Sequence, residues 1–136
     1  MNTLSTVLAV LAAAFGLWFV AAQVFAWRAA RRAVGQPVPA EAAAAGNRVY
    51  YFHAAHCGFC RALTPRMQAL AAKHPNLVLV DTAAAPDLAA AFGVAATPTF
   101  CHAVDGTIRD VRLGAVSPSW LTARLTPEHQ PKEITP

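Results

Sequence analysis

The run from Leu4 to Trp27 contains no charged residue, and Ser5, Thr6 and Gln23 are its clearly polar members. A helix of roughly 20 apolar residues spans the ~30 Å hydrocarbon layer of a bilayer. The stretch therefore reads as one transmembrane helix, residues 4–27, with Trp18 and Trp27 as interfacial anchors. Removing it from a chain of 136 residues leaves room for a single small soluble domain. The alternative is a cleaved signal peptide, with Val24-Phe25-Ala26 as its processing site. That reading is the weaker one, because Met1-Asn2-Thr3 has no side-chain charge and the apolar run is long.

Arg28, Arg31 and Arg32 follow the run directly. Their position predicts contact with lipid headgroups, and positive loops are retained in the cytoplasm, so the soluble domain is expected on the cytoplasmic face of a single-pass, inner-membrane protein. The formal charge of +4, from eleven basic and seven acidic residues, has no basic stretch interleaved with aromatics, which argues against nucleic acid as a partner. The 56% apolar content reflects much alanine, as in Ala42-Ala43-Ala44-Ala45, and does not indicate an integral bundle.

Residues 28–47 read as a basic flank and spacer that holds the domain off the membrane, with Pro37 and Pro39 inside it. A second reading makes Ala40 to Ala45 a first helix of the domain. From Arg48 the pattern changes. Val49-Tyr50-Tyr51-Phe52-His53 has the β-branched and aromatic character of a buried strand. Phe59, Leu63, Met67 and Leu70 then recur at helical spacing until Pro75. Leu77 to Val80 is a second buried strand, suited to parallel pairing through the intervening helix. Pro86 to Phe92 forms a short helix with Gly93 at its end. Thr99 to Val104 and Thr107 to Leu113 form a hairpin about Asp105-Gly106. Ser117-Pro118 opens a last helix through Leu125, and residues 126–136 read as a disordered tail. Strand, helix, strand, helix, strand, strand, helix makes an α/β domain over 48–125.

Three cysteines cannot staple a secreted scaffold, and two of them form Cys57-Gly58-Phe59-Cys60 at a helix start. Backbone N–H groups and the helix dipole there favour a thiolate on Cys57. Cys60, one turn further in, is set to resolve a mixed disulfide. His56 is a candidate modulator of the thiolate, or else a solvated loop histidine; Phe59 either shapes the substrate-facing surface or packs. In Thr97-Pro98 a cis bond would free the Thr97 backbone for an extended substrate, against an ordinary trans bond at a strand entry.

Together with Pro65, Asp81, Phe92-Gly93-Val94, Thr97-Pro98-Thr99, Asp105-Gly106 and Gly114, this cysteine pair resembles the thioredoxin family over residues 48–125. The resemblance implies a thioredoxin-like, four-stranded mixed sheet with flanking helices, and a thiol–disulfide oxidoreductase in which Cys57 attacks, Cys60 resolves and a cis Pro98 shapes the groove. Protein thiols and disulfides would be its substrates, with a membrane or soluble redox partner and no cofactor. His56 and Phe59 depart from the usual tryptophan and proline, and Tyr51 and Leu77 stand where an aspartate and a lysine usually assist the resolving cysteine. The Gly-aromatic dipeptide with threonine before the proline looks more like bacterial periplasmic disulfide isomerases, without their dimerisation domain. Two other classes compete. One is a metal-binding module using Cys57 and Cys60 with His53, His56 or Cys101-His102. The other is a redox-inactive membrane adaptor that binds by strand addition.

Overall fold

The computed structural model describes residues 2–126. Helix α1 spans Thr3–Ala33, six residues past Trp27, with Arg31 and Arg32 in its last turn, where they complement the carboxyl end of the helix dipole. The Arg31 guanidinium lies 4.0 Å from the Trp27 ring centroid, a cation–π contact at the point where the apolar run stops. The helix is long and apolar enough to cross a membrane, and its most apolar window is exposed throughout. Its last two turns are different: Ala26, Ala30 and Ala33 share one face and are buried.

The domain follows as β1 (Asn47–His53), α2 (Gly58–Ala71), β2 (Leu77–Asp81), α3 (Pro86–Ala91), β3 (Thr99–Val104), β4 (Thr107–Leu113) and α4 (Pro118–Leu125). The sheet order is β2-β1-β3-β4, with β1 and β2 parallel and the other two pairs antiparallel, so it is the expected four-stranded mixed sheet. Strand β1 is central, and its uninterrupted apolar run is explained by burial on both faces. Val49 and Tyr51 pack with Met67, Phe100 and Leu121 on one side, whereas Tyr50 and Phe52 pack with Phe92, Cys101 and Ile108 on the other. Burying side chains of this size stabilises by about 1.5–3 kcal/mol each before entropy is counted.

Local chemistry sets the element ends. Pro65 lies inside α2. The Ser117 side chain accepts from Trp120 N–H and caps α4, with Pro118 at the first turn. Asp105 (φ 49°) and Gly106 (φ 75°) both take left-handed backbone, which a two-residue hairpin turn of this hand requires.

Residues 28–47 differ from the expected spacer. Helix α1 continues through Ala33, and the following segment then runs along the outer edge of β4. Gly35 N–H donates to Ile108 (2.8 Å), Ile108 N–H to Gln36 (3.0 Å) and Val38 N–H to Gly106 (2.8 Å). The physical reason is the edge strand itself, whose unpaired N–H and C=O groups offer a ready template. The alanine run from Ala40 forms turns rather than a helix, with Ala42 N–H bonded to Pro39 and the Ala42 carbonyl accepting from the Tyr50 hydroxyl (2.6 Å). Ala42 still packs on the core, although the run is not the helix of the second reading. The tail expected at 126–136 lies, apart from Thr126, outside the described residues.

Candidate active site

Strand β1 ends at His53, and a short loop carries the chain into α2. Cys57 N–H donates to the Ala54 carbonyl (3.2 Å), which turns Cys57 onto the start of the helix. There it is the N-cap residue, with extended backbone, and its sulfur accepts from Cys60 N–H at 3.1 Å. The two cysteines are joined in a disulfide with Cα atoms 5.1 Å apart. Cys57 is half-buried, whereas Cys60 is only 1% exposed. A sulfur at an N-cap receives orphan N–H groups and the positive end of the dipole, both of which favour a thiolate once the bond is reduced.

Across from the pair, the Thr97–Pro98 peptide is cis. The Thr97 carbonyl oxygen lies 3.4 Å from Cys57 Sγ. Pro98 is buried, and its carbonyl is held by Gly114 N–H at 2.8 Å. Thr99 follows, fully buried, with its hydroxyl donating to the Ala96 carbonyl (2.7 Å). The structure thus brings Cys57, Cys60, Thr97 and Pro98 together.

Phe59 is 83% exposed and does not pack into the core. It forms one wall of a groove of about 530 Å³ that also takes in Leu63, Arg66, Thr97, Pro98 and Leu113. Of the two readings of Phe59, the surface-shaping one agrees with this geometry. His56 is exposed at the lip, and it bonds to neither sulfur among the described residues. Tyr51 stands where the resemblance would place an aspartate. It is fully buried, with its hydroxyl 3.0 Å from Thr64 Oγ1, one helical turn beyond Cys60. Burial pushes the Tyr51 phenol above its ordinary range, although the Thr64 hydrogen bond opposes this.

The alternative ligand set is not assembled. Among the described residues, no three His, Cys, Asp or Glu side chains meet at metal-binding positions. Cys101 is fully buried in the core, and burial, with Asp110 adding to it, pushes its thiol far up. His102 instead pairs with Asn47 Oδ1 at 2.6 Å. Of the groove residues, sequence reasoning assigned Phe59, Thr97 and Pro98 to the site and missed the others, among them Leu63, Arg66, Leu113 and, from outside the domain, Gln23 of α1. For Gln23 the available signal was Ala26, Ala30 and Ala33, small residues at one helical face just after it.

A half-buried and a buried sulfur at one helix start, on a mixed sheet covered on both faces, make a dithiol–disulfide scaffold. Residues 40–126 match the family model for thioredoxin. The TPR repeat-containing thioredoxin TDX of Arabidopsis thaliana is 39% identical over 69 residues, covering 49% of this chain and 18% of that protein. Thioredoxin-2 of Pyricularia oryzae is 38% identical over 80 residues, 57% of this chain and 46% of that one. The X-ray structure of Fasciola hepatica thioredoxin superposes with a TM-score of 0.51 at 32% identity, over 57% of this chain and 77% of its own. The chain belongs to the thioredoxin family. It spans less than half the length of the two curated relatives just described.

Proposed function

We propose that this protein is a membrane-tethered thiol–disulfide oxidoreductase acting on protein thiols and disulfides through Cys57 and Cys60. The observation that carries the reading is the unequal burial of two sulfurs at one N-cap. Cys57 is accessible to a partner sulfur and, when reduced, has its thiolate favoured by Cys60 N–H; Cys60 is shielded from everything except Cys57. In the reducing direction, the Cys57 thiolate attacks a substrate disulfide and one substrate sulfur leaves as a thiolate. Cys60 then gives up its proton and attacks Cys57, releasing the second substrate sulfur and closing the internal disulfide. Every step reverses, so direction follows the potential of the partner.

Thr97 and Pro98 line the groove in which the substrate segment would lie. Among the described residues the Thr97 N–H has no backbone partner, which supports pairing with an extended chain. Phe59 would meet the side chains flanking the substrate cysteine. His56 would tune the Cys57 thiolate through its charge. Helix α1 supplies the tether by length and hydropathy, and Arg28, Arg31 and Arg32 support a cytoplasmic domain on a single-pass protein.

The test is the reduction potential of the full chain in detergent, by equilibration in glutathione buffers with thiol trapping read by mass. A reversible two-electron couple that disappears in Cys57→Ser is expected. A pair that stays locked or stays open across the whole range sinks the proposal and returns the adaptor reading to the front.

A further inference from the structure

The groove beside the cysteines is built from two parts of the chain that the sequence separates widely. Phe59, Leu63, Thr97, Pro98 and Leu113 belong to the folded domain, but Gln23 belongs to the apolar helix α1. Its position is not incidental, because α1 is fastened to the domain immediately after it. Ala26, Ala30 and Ala33 are buried, and a Cβ on Gly93 would stand 2.5 Å from the Ala29 carbonyl oxygen, so helix and domain touch at backbone distance. Residues 35–38 then pair along β4. Helix and domain are joined by packing and by backbone bonds, with no slack linker between them.

That fastening sets the depth of the groove. At 1.5 Å per residue, the uncharged run from Leu4 to Trp27 is about 36 Å long, against ~30 Å of hydrocarbon. About 20 residues from Leu4 reach Gln23, so Gln23 stands where hydrocarbon gives way to headgroups, with Trp27 and the arginines just beyond. The groove wall that contains Gln23 is at the same level. Phe59, exposed on that wall, presents an apolar ring at that level. A large soluble protein would meet the bilayer on that side of the groove, whereas a segment leaving the membrane runs into it.

We infer that the substrate is a cysteine or cystine of an integral membrane protein, presented at headgroup level beside α1. This rests on the oxidoreductase reading and adds the class of partner to it. The exchange needs no further reactant: the reduced pair gives two electrons to the partner disulfide, one sulfur–sulfur bond breaks in the partner and one forms between Cys57 and Cys60.

The test uses the full chain reconstituted in phospholipid vesicles and single-span synthetic peptides whose cysteine carries a chromophoric thiol in disulfide linkage. One peptide holds that cysteine at headgroup level, and another holds it about 20 Å further out on a helical extension. Release of the chromophore is expected to be about tenfold or more faster at headgroup level, because the groove and probe share one plane. A ten-residue Gly/Ser insertion between Trp27 and Arg28, which leaves Cys57, Cys60 and Pro98 in place but frees Gln23 from the groove wall and the domain from the helix, is expected to reduce that preference to within about twofold. Equal rates for the two peptides, or a preference that survives the insertion, overturn the inference. Dithiothreitol reduction of the Cys57–Cys60 disulfide separates the two levels of failure. If it proceeds normally while depth has no effect, only the partner class is wrong; if no exchange occurs with dithiothreitol, the oxidoreductase reading falls and takes this one with it.

Discussion

The two faces of the sheet are covered by different means. On the α2 and α4 side, Tyr51, Met67, Phe100, Leu121 and Leu125 fill the space with bulky side chains. On the α3 side, Ala33 and Ala89 are among the covering residues, and Gly93 brings α1 to backbone distance. The first face is an ordinary side-chain core, and it holds the helix that carries the cysteines. The second also holds bulky side chains, Tyr50, Phe52, Phe92 and Ile108, but the contact that fastens the apolar helix to it depends on the absence of side-chain atoms. A bulky core tolerates small adjustments of rotamer, but a contact through a carbonyl and a glycine has no such latitude.

Substitutions that treat the faces differently test this contrast. Phe100→Ala removes a fully buried ring whose centroid lies 4.9 Å from that of Tyr51, and it is expected to cost about 3–5 kcal/mol in denaturant titration. A loss below about 1 kcal/mol would mean that the bulky face is not the main core. Gly93→Ala adds one methyl where φ is +67° and the Ala29 carbonyl is in the way, for an expected loss of about 2–4 kcal/mol. Gly93→Asn sharpens the point: asparagine tolerates the left-handed backbone but keeps the clash. If Asn restores wild-type stability, backbone conformation and not close approach explains the glycine.

Cys101→Ser places a hydroxyl among Tyr50, Phe52 and Ile108, and about 1–3 kcal/mol should be lost, whereas Cys101→Ala should cost about 1 kcal/mol. Exchange at Cys57 and Cys60 should continue in both, and a loss of exchange without a loss of folding would give Cys101 a chemical part. The smallest effect concerns pH. His102 is held below its ordinary 6.5, by burial first and Arg124 next, with Asp110 pulling the other way. Over that window the unfolded chain binds more protons than the folded one, so stability should fall as pH drops below 6.5 until folded His102 is itself protonated. Comparing melting temperatures of wild type and His102→Gln along a pH series checks this; parallel curves would remove His102 from the account.

The domain was legible because each of its elements has a side-chain signature. Tyr50 and Tyr51 point to opposite faces of a strand buried on both, Pro86 and Gly93 bracket α3, and Asp105-Gly106 has the chemistry of its turn. The cysteine pair was legible for the same reason, since an N-cap position and a position one turn deeper follow from spacing alone. Residues 28–47 were not. Their bonds to β4 are made by main-chain groups that every residue possesses, and the edge that receives them belongs to a strand far along the chain. The alanine run misled in a related way: alanine favours helix, but Tyr50 holds the Ala42 carbonyl and Pro39 starts a turn. Gln23 escaped because the glutamine itself says nothing about what stands beside it, and the small face of Ala26, Ala30 and Ala33 after it marks a close contact without naming the partner.

The bonds between residues 35–38 and β4 also have a bearing on the order of events during synthesis. Gly35 leaves the ribosome about 70 residues before Ile108, the partner it must find. Helix α1 therefore meets its surroundings while the strand that will anchor it does not yet exist, and the sheet edge is closed only near the end of translation. The sheet edge is therefore closed by a segment synthesised long before the strand it pairs with.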